Sequence, residues 1–306
     1  MNQGVSRTLK LMGAMGLGLA VPAAHELHFI IRYAIMAMLW FAFLDIRPTG
    51  FRRQHLFLLA ANWAVGLAAW SLLAPFNRQL ALAALLIGLT PTATASPVVT
   101  GMLGGRVDFV AGSVLLTNVC AGCLFPLVLP FFLGSDVAIP VAPFLRQTVI
   151  VILIPLGAAQ CLRVASPKWT QAILRYRAVS FYLWMGALFL ITSNASHFLL
   201  SQWLTGEGAA HLGLLAQIGL TAAVLCIVNF TLGWKLGGSG GMAREVSQSL
   251  GQKNTMLTIW IALMYANPLV ALGPTFYVLC HNSYNAWQLA RCPARGMEER
   301  GRKIAC

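Results

Sequence analysis

The sequence predicts an all-α protein that crosses a membrane many times, and three observations favour this class. Of its 306 residues, 58% are hydrophobic and only 9% are charged, which is too few polar groups to cover the surface of a soluble fold. Apolar runs of about 20 residues, the length that spans a bilayer, recur along the chain. Most Lys and Arg residues lie in short loops between these runs. We therefore expect an integral, multi-pass membrane protein whose partner is the lipid bilayer.

Ten apolar runs satisfy the length of a membrane span, and the fourth and ninth are interrupted by polar residues, proline or glycine. The prediction is therefore ten transmembrane helices, of which helices 4 and 9 are broken. The ten runs are residues 8–24, 28–46, 56–74, 79–103, 108–133, 141–162, 174–199, 211–235, 242–265 and 268–290.

The distribution of basic residues predicts the orientation of these spans. If the amino terminus is cytoplasmic, nearly all of the 21 Lys and Arg residues fall on the cytoplasmic side. The exceptions are Arg32, Arg78 and Arg146 on the outer side and Lys253 within a span. This skew follows the positive-inside rule and places both termini in the cytoplasm. The net charge of +13 thus reflects topology rather than a nucleic-acid partner. We expect a plasma membrane location, in the inner membrane of a bacterium.

The spans divide into two sets of five that enter the membrane in opposite senses. We predict a first five-helix repeat over residues 1–134, an inverted repeat over residues 135–291 and a cytoplasmic tail over residues 292–306. The broken span is the fourth of each set. Inverted repeats with interrupted helices in corresponding positions are typical of secondary transporters, and the breaks indicate a binding site near the bilayer midplane.

The first break, residues 90–97, contains two prolines and a run of hydroxyl side chains. Proline has no amide hydrogen with which to continue a helix. In hydrocarbon the freed backbone groups persist only where protein or a wet cavity satisfies them. The candidate site residues here are Thr92, Thr94 and Ser96. Their hydroxyls could equally serve only to satisfy the backbone.

The second break brings polar groups and a positive charge to membrane depth around Gly251. A buried ammonium is costly and indicates a functional site, although Lys253 could instead extend its head group to an interface. Asn118 in the fifth span and Asn194 near the end of the seventh are further candidates, although span amides often only join helices. The candidates in the second break are Ser249, Gln252, Lys253 and Asn254.

These residues resemble the bile acid:sodium symporter family. The sequence Gly251-Gln252-Lys253-Asn254, with Asn267-Pro268-Leu269 and His281-Asn282 after it, is similar to the ninth and tenth spans of that family. Thr94-Ala95-Ser96 and Pro126-Leu127-Val128-Leu129-Pro130 are similar to its fourth and fifth spans. The resemblance implies a core of spans 3–5 and 8–10 and a panel of spans 1, 2, 6 and 7. It also implies an organic anion bound between them, beside the crossing of the broken helices, and two sodium ions in the core.

The sequence departs from the family pattern at the residues that would hold sodium. Ser249 stands where the family has a glutamate, Lys253 where it has a glutamine, and Pro97 where it has an asparagine. Sodium prefers oxygen ligands, and two like charges 4 Å apart repel by about 4 kcal/mol at an effective dielectric near 20. No metal site is assigned, and the remnants of a sodium site would be Ser96, Asn118 and Ser249.

We therefore expect a secondary transporter of a small organic anion with weakened or absent sodium coupling. An exchange carrier, or a proton-coupled carrier in which Lys253 gains and loses the proton, is the alternative. A channel is less expected. A membrane-embedded enzyme is also less expected, because the chain has no paired acidic residues for magnesium, no His-Glu-x-x-His and no Gly-x-Ser-x-Gly motif. No cofactor is expected beyond sodium or a proton as the coupling ion, and the oligomeric state stays open.

Overall fold

The structure, a computed structural model, describes residues 3–45, 52–133, 141–176, 178–204 and 208–291. The predicted boundary between the repeats, the predicted tail over residues 292–306 and both chain ends lie outside these ranges. The all-helical class is confirmed. The helices are α1 (Gln3–Ala20), a 3-10 helix (Pro22–Phe29), α2 (Ile30–Asp45), α3 (Arg53–Leu73), α4 (Arg78–Leu89), α5 (Ser96–Met102), α6 (Val107–Leu133), α7 (Val141–Ala165), α8 (Pro167–Leu174), α9 (Val179–Leu204), α10 (Gly208–Gly238), α11 (Ala243–Gly251), α12 (Thr255–Tyr265) and α13 (Pro268–Arg291).

Four segments of the described helices are long and apolar enough to cross a membrane. They are Arg53–Leu73, Val107–Phe125, Val179–Ser201 and Leu212–Gly238. A fifth candidate is the bent pair Leu9–Ala20 and Pro22–Phe41, whose axes meet at 106°. Breaks shorten other apolar segments below the length of a span, so ten spans remain a prediction while the multi-pass membrane class stands.

Two helix ends differ from the predicted spans. The first predicted run, residues 8–24, is helical only to Ala20 and continues as the 3-10 helix Pro22–Phe29. Pro22 stands at the start of that helix, where its missing amide hydrogen is tolerated but a preceding α-helix is not continued. The seventh predicted run begins at residue 174, whereas α9 begins at Val179 after the separate short helix α8. Both helix ends were misplaced because hydropathy does not change where the chain turns between apolar residues.

Several pairs of helices pack along each other. Helix α1 lies along α9 and α2 along α7, while α3 lies along α4 and α10 contacts both α11 and α13. The approach of α3 to α4 depends on two glycines, because a Cβ added at Gly88 would overlap the backbone of Gly66. This close approach places the carboxyl end of α4 against the middle of α3, beside the first break.

The two interrupted runs each form a pair of short helices. Helix α4 ends at Leu89 and α5 begins at Ser96, and α11 ends at Gly251 while α12 begins at Thr255. Backbone amides and carbonyls without partners in their own helix are therefore concentrated in two short segments, residues 90–95 and 252–254.

Candidate functional site at the crossing of two broken helices

The two breaks cross as extended segments that pair with each other. Thr92 and Lys253 form an isolated antiparallel bridge. The Ala93 amide donates to the Gln252 carbonyl at 2.8 Å, and the Asn254 amide donates to the Pro91 carbonyl at 2.7 Å. Each break therefore supplies partners for backbone groups that the other leaves open, as a non-helical segment at membrane depth requires.

Side chains of α6 hold the first break in place. Thr117 Oγ1 accepts a hydrogen bond from the Thr92 amide at 2.9 Å. Asn118 Nδ2 donates to the Thr92 carbonyl at 3.0 Å, and Asn118 Oδ1 accepts from Asn254 Nδ2 at 2.7 Å. Asn118, which is fully buried, thereby joins both breaks to α6. It stabilises the crossing whether or not it also contacts a substrate.

The hydroxyls of the first break contact the carboxyl end of α11. Thr92 Oγ1 donates to the Ser249 carbonyl at 2.7 Å, and Ser96 Oγ donates to the Gln248 carbonyl at 3.0 Å. These carbonyls belong to the last turn of α11, where intrahelical donors run out, and the Gln248 carbonyl also accepts from the Gln252 amide at 3.1 Å. The hydroxyls therefore satisfy backbone groups of the neighbouring break, not only those of their own.

Lys253 is 2% exposed, and its ammonium lies at the carboxyl end of α4. Its Nζ donates to Asn62 Oδ1 and to the Gly88 carbonyl, the latter at 3.2 Å. Asn62 is itself fixed by α4, since its Nδ2 donates to the Thr90 carbonyl at 3.0 Å. Free carbonyls and the negative end of the helix dipole favour a cation at this position.

The atoms available at the crossing are hydroxyl, amide and carbonyl groups beside one ammonium. The described residues contain no group of three or more His, Cys, Asp or Glu side chains that could hold a metal. A hard cation prefers several oxygens, often with a carboxylate among them. The buried Oγ of Ser249 has no partner among the described residues, and the ammonium of Lys253 takes the oxygens of Asn62 and Gly88.

The structure brings most, but not all, of the predicted site residues together. Thr92, Ser96 and Asn118 meet the second break, as described. Thr94 lies within the first break and is half-buried. The side chain of Gln252 bonds within its own span, since its Nε2 donates to Gln248 Oε1.

Asn194 is separate from the crossing. It lines a cavity of about 380 Å³ between the beginning of α2, α9 and the carboxyl end of α12. The same cavity is lined by Arg32, which the sequence indicates only as a basic residue of the outer side. Asn62 is not among the predicted site residues. The sequence shows Asn62 only as an amide side chain within an apolar run, and the fold shows that it contacts Lys253.

Helices that break and cross inside an apolar bundle, with a buried cation at the crossing, define the chain as a membrane transport protein. The chain belongs to the sodium bile acid symporter family: the model of that family matches residues 27–202, more than half of the 306 residues. Members of this family are transporters of organic anions with sodium, not enzymes.

The family match includes the first break but ends before α10, so the break at residues 252–254 lies outside it. No curated protein matches the chain.

Proposed function

We propose that this protein is a secondary transporter of a small organic anion that works by alternating access at the crossing, with sodium coupling weakened or absent. Lys253 supplies at the crossing the positive charge that a bound ion supplies elsewhere in the family. The protein is a multi-pass protein of a bacterial inner membrane with both termini in the cytoplasm. The coupling ion, if there is one, is a proton or a weakly bound sodium ion.

The packing of the helices supports a division into a core and a panel. Helices α1, α2, α7 and α9, which correspond to spans 1, 2, 6 and 7, contact one another in the pairs α1 with α9 and α2 with α7. Helices α3 to α6 and α10 to α13 contain both breaks and correspond to the two halves of the core. The breaks stand at the fourth span of each half, as an inverted repeat requires.

The observation that carries the proposal is the pair of contacts of the Lys253 ammonium with Asn62 Oδ1 and the Gly88 carbonyl. A sodium ion in the same place would need these oxygens and would lie within a few ångströms of a like charge. At 4 Å the repulsion is about 4 kcal/mol for an effective dielectric near 20, which corresponds to roughly a thousandfold loss of affinity.

The test is uptake by proteoliposomes of radiolabelled cholate and phenylacetate, measured with sodium chloride and with choline chloride outside. We expect the wild-type protein to accumulate at least one of these anions chemically unchanged and at equal rates in the two salts. The double variant Ser249→Glu with Lys253→Gln should become sodium-dependent, because it restores a carboxylate and removes the competing charge.

Lys235→Gln is the matched control, because it removes one positive charge at an exposed position near the end of α10. It should leave uptake indifferent to sodium. Strong sodium dependence of the wild-type protein would contradict the role assigned to Lys253, and absence of any anion uptake would contradict the transport function itself.

A further inference from the structure

One cavity among the described residues is lined by none of the residues of the two breaks. It has a volume of about 380 Å³, within the range of about 300–1,000 Å³ that is typical of small-molecule sites. Its walls come from the beginning of α2, from α9, from α12 and from the first residue of α13. Trp260, one of the lining residues, is the sixth residue of α12. At 1.5 Å per residue it lies about 8 Å from the helix start at the crossing.

The cavity is lined by a positive charge that forms no ion pair with a described Asp or Glu. Arg32 lines it, and its Nε is buried without a hydrogen-bond partner among the described residues. The two ion pairs of the described chain join Asp108 to Arg52 and to Arg106, so neither involves Arg32. The lining contains no Asp or Glu. A buried guanidinium N–H without an acceptor is costly, and such a group is suited to a ligand that brings one.

The other walls define what the rest of the ligand must be. Trp260, Leu263, Met264 and Phe29 provide aromatic and aliphatic surface, and Asn194 provides an amide at the same cavity. An apolar cavity with a few convergent polar groups binds the body of a ligand by burial and orients it through the polar groups. The planar guanidinium binds a carboxylate through two parallel hydrogen bonds.

We propose that Arg32 is the residue that selects for the negative charge of the transported anion, by pairing with its carboxylate in this cavity while the apolar walls bind its aromatic or aliphatic body. The inference rests on the proposed transport function, since it makes the cavity a binding site that the anion occupies before it reaches the crossing. It assigns charge recognition to α2, whereas Lys253 stays bound to α3 and α4.

The experiment is equilibrium binding by isothermal titration calorimetry to purified protein in nanodiscs of phosphatidylcholine, without sodium. The probes are phenylacetate, the neutral amide phenylacetamide and the cation phenethylamine, which share an aromatic ring and differ in charge. The wild-type protein should bind phenylacetate and bind the other two at least about tenfold more weakly, because only a carboxylate pairs with guanidinium.

Arg32→Gln should weaken phenylacetate binding by about tenfold or more and remove the preference over phenylacetamide. Arg32→Lys should restore the charge preference with part of the affinity, because lysine retains the charge but not the planar fork. Arg146→Gln, at an exposed arginine of α7, is the matched control and should bind as the wild-type protein does. Equal phenylacetate affinity of Arg32→Gln and wild type would overturn the inference.

The result separates this inference from the proposed function. If proteoliposomes accumulate phenylacetate while Arg32→Gln binds it normally, transport stands and the assignment to Arg32 fails. A lipid phosphate could also pair with a guanidinium, so binding is repeated in nanodiscs with an equimolar share of phosphatidylglycerol. Unchanged phenylacetate affinity supports a soluble carboxylate, whereas loss of binding in the anionic lipid assigns Arg32 to a headgroup and overturns the inference.

Discussion

The crossing and the cavity beside α2 each contain a cation within the helical bundle, but the surroundings of the two differ. At the crossing, the Lys253 ammonium donates to Asn62 and to the Gly88 carbonyl, and Asn118 binds both breaks. In the cavity, the Nε of Arg32 has no partner among the described residues.

This difference indicates different roles for the two charges. Hydrogen bonds from the protein reduce the cost of burying a charge, and at Lys253 the protein itself supplies them. A charge that lacks them is held at a cost in stability, as at many binding sites. Ser249, whose Oγ also has no partner, is the exception at the crossing. The comparison therefore predicts that substitutions at the crossing impair stability, whereas those at Arg32 impair binding.

The largest expected effect is that of Gly88→Ala. A Cβ at Gly88 would overlap the Gly66 backbone, so α3 and α4 must separate and the Gly88 carbonyl must move from the Lys253 ammonium. We expect a loss of about 3 kcal/mol in the free energy of unfolding, measured in detergent by chemical denaturation. Gly13→Ala is the control, since nothing lies within 4 Å of its added Cβ. Equal stability of the two variants would show that the close helix approach does not matter.

A smaller loss is expected for Asn118→Ala. The substitution leaves the Thr92 carbonyl and the side-chain Nδ2 of Asn254 without their partner, which costs about 2 kcal/mol for buried polar groups. Denaturation curves compared with those of Asn282→Ala check this, because among the described residues the side-chain Nδ2 of Asn282 donates within its own helix, to the Val278 carbonyl. If both variants lose the same stability, Asn118 does not join the breaks in the way described.

The smallest effect, with the opposite sign, is expected for Arg32→Gln in the absence of ligand. Removing a charge with an unpartnered N–H should raise the free energy of unfolding by about 1 kcal/mol. Thermal unfolding in detergent measures this change in stability. Phenylacetate should raise the melting temperature of the wild-type protein but not that of Arg32→Gln. A marked destabilisation of Arg32→Gln would mean that Arg32 belongs to the packing of α2, and the contrast with Lys253 would fail.

The fold class and the positions of both breaks could be predicted from the sequence because each depends on local composition. Apolar runs identify membrane helices, and the prolines around Thr92 and the polar run before Lys253 interrupt them by their own chemistry. Membership in the symporter family was likewise indicated by short motifs and is confirmed over residues 27–202. The ends of α1 and α9 were less predictable, since hydropathy does not change where an apolar chain turns.

The sequence by itself determined that this chain is a helical membrane protein with two interrupted helices and a lysine in one of them. Only the tertiary structure decided what that lysine contacts, since Asn62 and Gly88 are far from it along the chain and reach it through the approach of α3 to α4. It also decided that Asn194 joins Arg32 in a separate cavity. Hydrogen-bond partners depend on which helices become neighbours, and no local pattern of residues specifies that.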